Sequence, residues 1–213
     1  MYLPTHFAED RPEVLQALMR AHPLATLVTL GSDGLVANSL PLLWSAGGQG
    51  HGVLRGHVAR ANPLWQESRP DVEALVIFQG SQAYVSPSWY PTKAEHGRVV
   101  PTWNYVVVQA RGPLRSVDDP AWLRRVLGEL TTEHERSQTT PWSIDDAPAD
   151  YIDKMLGAVV GIEVDIRRLT GKWKVSQNQP LTNRAGVLAG LRAEGRQDAA
   201  DEVAARMPAT GAG

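Results

Sequence analysis

Two glycine-rich turns constrain this chain more than any other feature. Gly31-Ser32-Asp33-Gly34 and Gly47-Gly48-Gln49-Gly50 divide its first third into short apolar segments, Leu24 to Leu30, Leu35 to Trp44 and His51 to Val58. Segments of that length joined by such turns predict an antiparallel meander. The run from Gly47 to Gly52 lacks the third glycine of a dinucleotide loop, and no helical pattern follows it, so it reads as a hairpin. Further strands are expected at Glu73 to Phe78, Gln82 to Pro87 and Tyr105 to Leu114. Another is expected where Ile162, Val164 and Ile166 alternate with Glu163, Asp165 and Arg167. A long loop is expected over 86–103.

Helices frame these strands. Asp10, Pro12 and Glu13 suit the start of a helix over 10–21, with Val14, Leu15, Leu18 and Met19 on one face. Asp118-Asp119-Pro120 starts a second helix, whose buried face is Trp122, Leu123, Val126, Leu127 and Leu130. Pro148 to Met155 predicts a third, and Leu181 to Met207 a helical tail broken near Gly195. No low-complexity linker or internal repeat divides the chain. The expectation is an α+β, mainly β fold: one antiparallel, barrel-like domain over 1–207 with peripheral helices and a helical C-terminal tail, and a disordered end over 208–213.

Composition removes several function classes. The chain has 213 residues and no cysteine, which excludes disulfides, thiolate metal sites and cysteine nucleophiles. Its opening decapeptide has neither the basic patch nor the apolar core of a signal peptide, and no stretch is long enough to span a bilayer. A cytoplasmic protein is therefore expected. Net charge is −2 and the sequence pI about 6.3, without the basic excess of a DNA-binding domain. No phosphate-loop, nucleophile-elbow or paired-histidine metal motif is present. Cofactor chemistry stays open, since a cofactor asks the protein only for binding and orientation.

The most informative segment is Arg55-Gly56-His57-Val58-Ala59-Arg60-Ala61-Asn62-Pro63. A strand ends, donor side chains come next, and Asn62-Pro63 can open a short helix over Leu64 to Ser68. Free N–H groups at a helix start, the planar fork of Arg60 and a ring nitrogen of His57 would suit a phosphomonoester. A capped helix with a solvated Arg60 explains the same residues equally well.

The segments from Arg55 to Pro63 and from Gly171 to Pro180 resemble the PaiB family, within the FMN-binding split-barrel group that includes pyridoxamine-phosphate oxidases and flavin reductases. The resemblance begins in the opening decapeptide. It continues through Ala37 to Trp44, Tyr84 to Lys93 and Val100 to Gly112, and reaches the helical tail. It implies a split barrel and a homodimer with FMN at or near the subunit interface. His57, Arg60 and Asn62 would then hold the phosphate side. Asn38, Ser39, Leu40 and Pro41, with Ala37, would run beside the isoalloxazine ring. Trp103 and Asn104 would approach the ligand or the dimer seam.

Lys172 and Lys174 alternate with Trp173 and Val175, so on a strand both lysines share a face. That face could meet an anion such as the FMN phosphate of the partner subunit, with Gln177, Ser176 and Asn178 adding donors and acceptors. A solvated strand leading into a polar helix cap is the plainer alternative. Tyr84, Trp89 and Tyr90, near Ser86, Ser88 and Lys93, would shape a ligand pocket or pack on a dimer mate.

The resemblance also implies negative transcriptional regulation. Charge gives direct DNA contact no support. In the tail Arg184, Arg192, Arg196 and Arg206 are balanced by Glu194, Asp198, Asp201 and Glu202. The favoured reading of the tail is a helical hairpin packed through Val187, Leu188, Leu191 and Val203. The alternatives are an FMN-dependent oxidoreductase or flavin reductase acting on a small molecule, and a module that holds haem or no cofactor.

Overall fold

The computed structural model describes residues 1–208, so the expectation of disorder over 208–213 lies outside the described residues except for Pro208. The chain resolves into two compact units. One contains Met1–Leu15, Gln79–Val108 and 170–208, the other Gln16–Phe78 and Gln109–Leu169.

In the second unit, β2 (Leu24–Gly31) and β3 (Gly34–Pro41) form the expected hairpin, in register from Leu24↔Pro41 to Gly31↔Gly34. Ser32 and Asp33 make its two-residue turn, and Gly34 supplies a φ of 116°. The first part of β6 (Ala74–Val85) pairs with β2 on its other side, Val28 facing Leu75. A separate four-stranded sheet has the order β4-β5-β9-β8, formed by Leu43–Ser45, Val53–Ala59, Val159–Asp165 and Leu114–Val117. The helix α4 (Pro120–Glu135) is capped by Asp119, which accepts from the Trp122 N–H at 2.9 Å. Its apolar face, Trp122, Leu123, Val126 and Leu130, packs with Ile152 and Leu156 of α5 (Ala149–Gly157). Gly161 lets the Trp122 ring lie on β9, since a Cβ there would sit 2.2 Å from it.

The first unit pairs β1 (Ala8–Glu9) with β10 (Arg168–Lys174), in the order β1-β10-β7-β6, where β7 is Thr102–Gly112. Its loop region is more ordered than expected: Pro87–Trp89 is a 3-10 turn and α3 spans Thr92–His96. The tail forms α6 (Leu181–Ala193) and α7 (Gln197–Ala204), turning at Gly195 with φ 69°. Val187, Leu191 and Val203 are buried, as a packed hairpin requires.

Two expected strand assignments need correction. Leu35 to Trp44 is two strands in different sheets, because Leu42 is buried and its N–H donates to the Pro23 carbonyl at 2.9 Å. Gly56 makes room there, since a Cβ would meet Leu42 Cδ2 at 2.8 Å. Conversely, the strands expected at Glu73 to Phe78 and Gln82 to Pro87 are replaced by one continuous strand, Ala74–Val85. Its buried positions change parity, from Ala74, Val76 and Phe78 to Ala83 and Val85, so the alternation breaks while the backbone continues.

The tail docks through absent side chains. A Cβ at Gly186 would lie 1.9 Å from the Trp89 carbonyl oxygen, and one at Gly190 2.3 Å from the Trp89 ring. Asn183 adds a bond from the Thr92 hydroxyl at 3.0 Å. Backbone cannot yield as a flexible side chain can, so Gly186→Ala is expected to cost about 2 kcal/mol. The loss should appear as faster proteolytic release of the tail; an unchanged cleavage rate would mean that α6 is held elsewhere.

Candidate functional site

The segment from His57 to Pro63 closes β5 as expected, but it leads into only a single helical turn, α2 (Leu64–Glu67). Asn62 is not its cap residue. Its Oδ1 accepts from the Leu64 N–H at 3.0 Å, and Pro63 occupies the cap position. One turn carries little macrodipole, so the helix-start contribution to phosphate binding falls away.

Arg60 has a different place from the free fork that was expected. Its Nη atoms meet both Asp118 carboxylate oxygens at 2.8 and 2.6 Å, and its Nε and Nη2 donate to the carbonyls of Gly157 and Val159. The Arg60 carbonyl accepts from Trp65 Nε1 at 3.0 Å. The residue therefore ties the loop after β5 to the segments before α4 and after α5. Asp118, read from the sequence as part of a helix cap, is its anchor; no local pattern reveals a pair 58 residues apart. Asp118→Asn is expected to lower the melting temperature without tightening FMN, measured by calorimetry and flavin titration. A gain in FMN affinity would instead show Asp118 restraining a phosphate ligand.

Asn62 and Asn38 are joined: Asn62 Nδ2 donates to Asn38 Oδ1 at 2.8 Å. This link connects two of the three groups that the resemblance implied. The second Asn38 polar atom, Nδ2, is buried without a partner, as is His57 Nδ1. Burial pushes the His57 pKa below the ordinary imidazole value. Ser39 and Pro41 flank Leu40, which is buried; both flanking residues are exposed.

The remaining expected site residues lie in the other unit. Lys172 and Lys174 do share a face, with both ammonium groups over the Tyr105 ring at 5.3 and 6.0 Å. Lys172 Nζ donates to the Tyr2 carbonyl at 3.0 Å, and Lys174 Nζ to Thr102 Oγ1 and the Trp103 carbonyl. The Trp103 ring is half-exposed and meets Tyr84 edge-on at 6.1 Å. Asn104 is buried and pairs reciprocally with the Ser176 hydroxyl at 3.0 and 3.1 Å. The Gln177 amide is committed to its own strand end, accepting from Val175 N–H and donating to the Trp173 carbonyl. Tyr90 is buried, whereas Trp89 packs on α6 rather than lining an open pocket.

Comparison with known proteins supplies the context. A family model described as "Putative FMN-binding domain" matches residues 1–168. An uncharacterised protein of Emericella nidulans is 34% identical, with 90% of each chain covered. The Protease synthase and sporulation protein PAI 2 of Bacillus subtilis is 28% identical, over 91% of this chain and 90% of that one. Among solved structures, an FAD and heme binding protein of Mycobacterium smegmatis has a TM-score of 0.58 at 17% identity, covering 86% of this chain and 80% of its own. A conserved hypothetical protein of Mycobacterium tuberculosis reaches 0.56 at 16% identity, covering 84% and 94%.

The residues around His57 fit FMN. Its ribityl hydroxyls, phosphate oxygens and ring edge offer the acceptors and donors that Asn38 Nδ2 and His57 Nδ1 lack within the chain. When bound, the flavin supplies hydride and electron chemistry that no side chain provides. This protein belongs to the FMN-binding family that the model defines: it is a split-barrel protein related to PaiB, and FMN is its cofactor.

Proposed function

We propose that the chain is a homodimeric, flavin-dependent regulator in which His57, Asn38 and Asn62 hold FMN and Arg60 holds the loop that presents them. The observation that carries this reading is the pair of unpartnered buried nitrogens on His57 and Asn38, the latter tied to Asn62. Ser39, Leu40 and Pro41 continue β3 from Asn38 and offer backbone groups to the flavin ring. Dimerisation is supported by the edge strand β3, where Leu35 is 79% exposed and Val36 42% next to the turn. An apolar edge of this kind is a surface that soluble proteins cover.

The regulatory role follows the name of the Bacillus relative, which refers to protease synthesis and sporulation. Direct DNA contact through the tail is disfavoured. Arg184 and Arg206 are drawn into the fold, which leaves Arg192 and Arg196 exposed against Glu194, Asp198 and Asp201. A surface of that sign repels phosphate, so regulation is assigned to a partner or a metabolite sensed at the flavin. Among the described residues no helix is long and apolar enough to cross a membrane.

The test is an absorbance spectrum of protein loaded with FMN and desalted, with sedimentation of the same sample. One FMN retained per chain in a dimer is expected, together with no sequence-selective shift of its own promoter DNA. No retained flavin after saturating addition would overturn the site. Rapid reduction of the bound flavin by NADPH would move the reading to an oxidoreductase.

A further inference from the structure

Lys172 and Lys174 present a charge problem that the flavin site does not solve. Ion pairs elsewhere in the chain join arginines to carboxylates. No carboxylate of the described residues comes within 4.0 Å of either lysine ammonium. Two cations thus lie over one tyrosine ring without a counter-charge among the described residues. Burial, and then the neighbouring Lys172, push the Lys174 pKa below the ordinary lysine value. An ammonium has three donors, and Lys174 uses two, on Thr102 and the Trp103 carbonyl.

Lys174 lines a cavity of about 180 Å³ with Thr102, Asn104, Ser176, Asn178 and Gln179. Its wall is built rather than incidental. Asn104, 2% exposed, and Ser176, 3% exposed, hold each other, and Ser176 adopts a φ of 67°, the one left-handed non-glycine residue described. Serine has no intrinsic preference for that region, and such strain persists where the surroundings impose it. The size limits the occupant. Pockets for whole drug-sized ligands run from about 300 Å³ upward, so this cavity takes a single phosphate or a small carboxylate.

We propose that this cavity is an oxyanion pocket in which Lys174, with Thr102, Asn104 and Ser176 around it, receives the phosphate or carboxylate group of a small molecule other than the flavin. Lys172 reinforces the local positive charge from beside the Tyr2 and Tyr105 rings. The bound anion supplies the counter-charge that the described residues omit. The pocket thereby gives the protein a second ligand, of the kind a metabolite sensor needs. It stands on its own geometry and does not depend on which residues hold FMN.

The experiment is calorimetric titration of inorganic phosphate into FMN-saturated and flavin-free protein. Saturable binding with dissociation constants agreeing within about threefold is expected in both forms, and Lys174→Met should weaken it at least tenfold. No binding to either form would overturn the proposal, as would wild-type affinity in the variant. Abolition by saturating FMN would overturn it too, by assigning the pocket to the flavin's own phosphate. Should the variant fail to fold, acylation of Lys174 in the wild-type, FMN-loaded protein, mapped by peptide mass, decides the matter: phosphate protects it if the pocket is real, and an unchanged rate overturns it.

Discussion

Glu9→Gln is expected to destabilise the protein by about 3 kcal/mol, a fall in melting temperature on the order of 6–12 °C for a chain of this size. Glu9 is 3% exposed at the end of β1, opposite Gly171. One carboxylate oxygen accepts from the Arg11 N–H and Nε at 3.1 and 2.8 Å, and the other from Arg11 Nη2 at 2.7 Å and from Arg206. Arg206 also lies over the Trp173 ring and accepts a bond from Arg184 at its carbonyl, while Trp173 Nε1 donates to Glu202. The carboxylate therefore fastens the N-terminal strand to the tail. Glutamine keeps the shape, removes the charge and turns an N–H₂ group toward a guanidinium. Removing the charge leaves the partly buried Arg206 uncompensated, while Arg11, 60% exposed, is left to water.

The same contact has a pH signature. Hydrogen bonding to Arg11, helped by Arg206 and opposed by desolvation, lowers the Glu9 pKa to about 2. A carboxylate depressed in the folded state contributes stability that is present above its unfolded value, near 4.5, and is lost as pH falls toward 2. The melting-temperature gap between wild type and Glu9→Gln should accordingly be full at pH 7 and shrink through that window. Calorimetry at pH 7 and pH 3 checks it. An equal gap at both values would mean that the charge is irrelevant and only the shape of the side chain counts.

The parts of this molecule that were legible in the sequence are those decided within a few residues. The β2–β3 hairpin follows from its turn, the start of α4 from Asp119-Pro120, and the break in the tail from Gly195. Leu35 to Trp44 misled because one buried residue, Leu42, leaves a continuous apolar run to satisfy Pro23, a contact without sequence signature. The two short strands expected around Gly80 merge because a change of parity looks, in one dimension, like an interruption. In the site, residue types were legible and pairings were not. Arg60 has the chemistry of a phosphate ligand, yet Asp118 claims it. Asn62 spends its oxygen locally on the Leu64 N–H, and its amide nitrogen reaches Asn38. Sequence supplies donor inventories; only the fold shows which donors are already spent. Among the described residues three buried side-chain nitrogens remain without a partner, on His57, Asn38 and Arg184, and the first two carry the site proposed for FMN.

His57→Leu is expected to weaken FMN binding at least tenfold while making the flavin-free protein more stable. A buried polar atom without a partner costs about 1–3 kcal/mol, and His57 Nδ1 is such an atom. An apolar side chain of comparable bulk removes that penalty, so opposite signs in the two measurements distinguish a ligand-binding histidine from a packing one. A structural histidine would lose stability on replacement and leave FMN affinity intact. Protonation offers an independent check. Burial lowers the His57 pKa, so the flavin-free fold binds fewer protons than the unfolded chain between that lowered value and about 6.5. Its stability therefore falls as pH drops below 6.5, and in the leucine variant that slope disappears. If Nδ1 meets the FMN phosphate, binding brings the negative charge that an imidazolium needs, and FMN affinity rises as pH falls from 8 to 6.5 in wild type alone. A ribityl hydroxyl donating to a neutral Nδ1 leaves the affinity flat over that range and weakens it only once pH falls below the lowered His57 value, so the dependence, read by flavin fluorescence titration, identifies which end of the cofactor His57 holds.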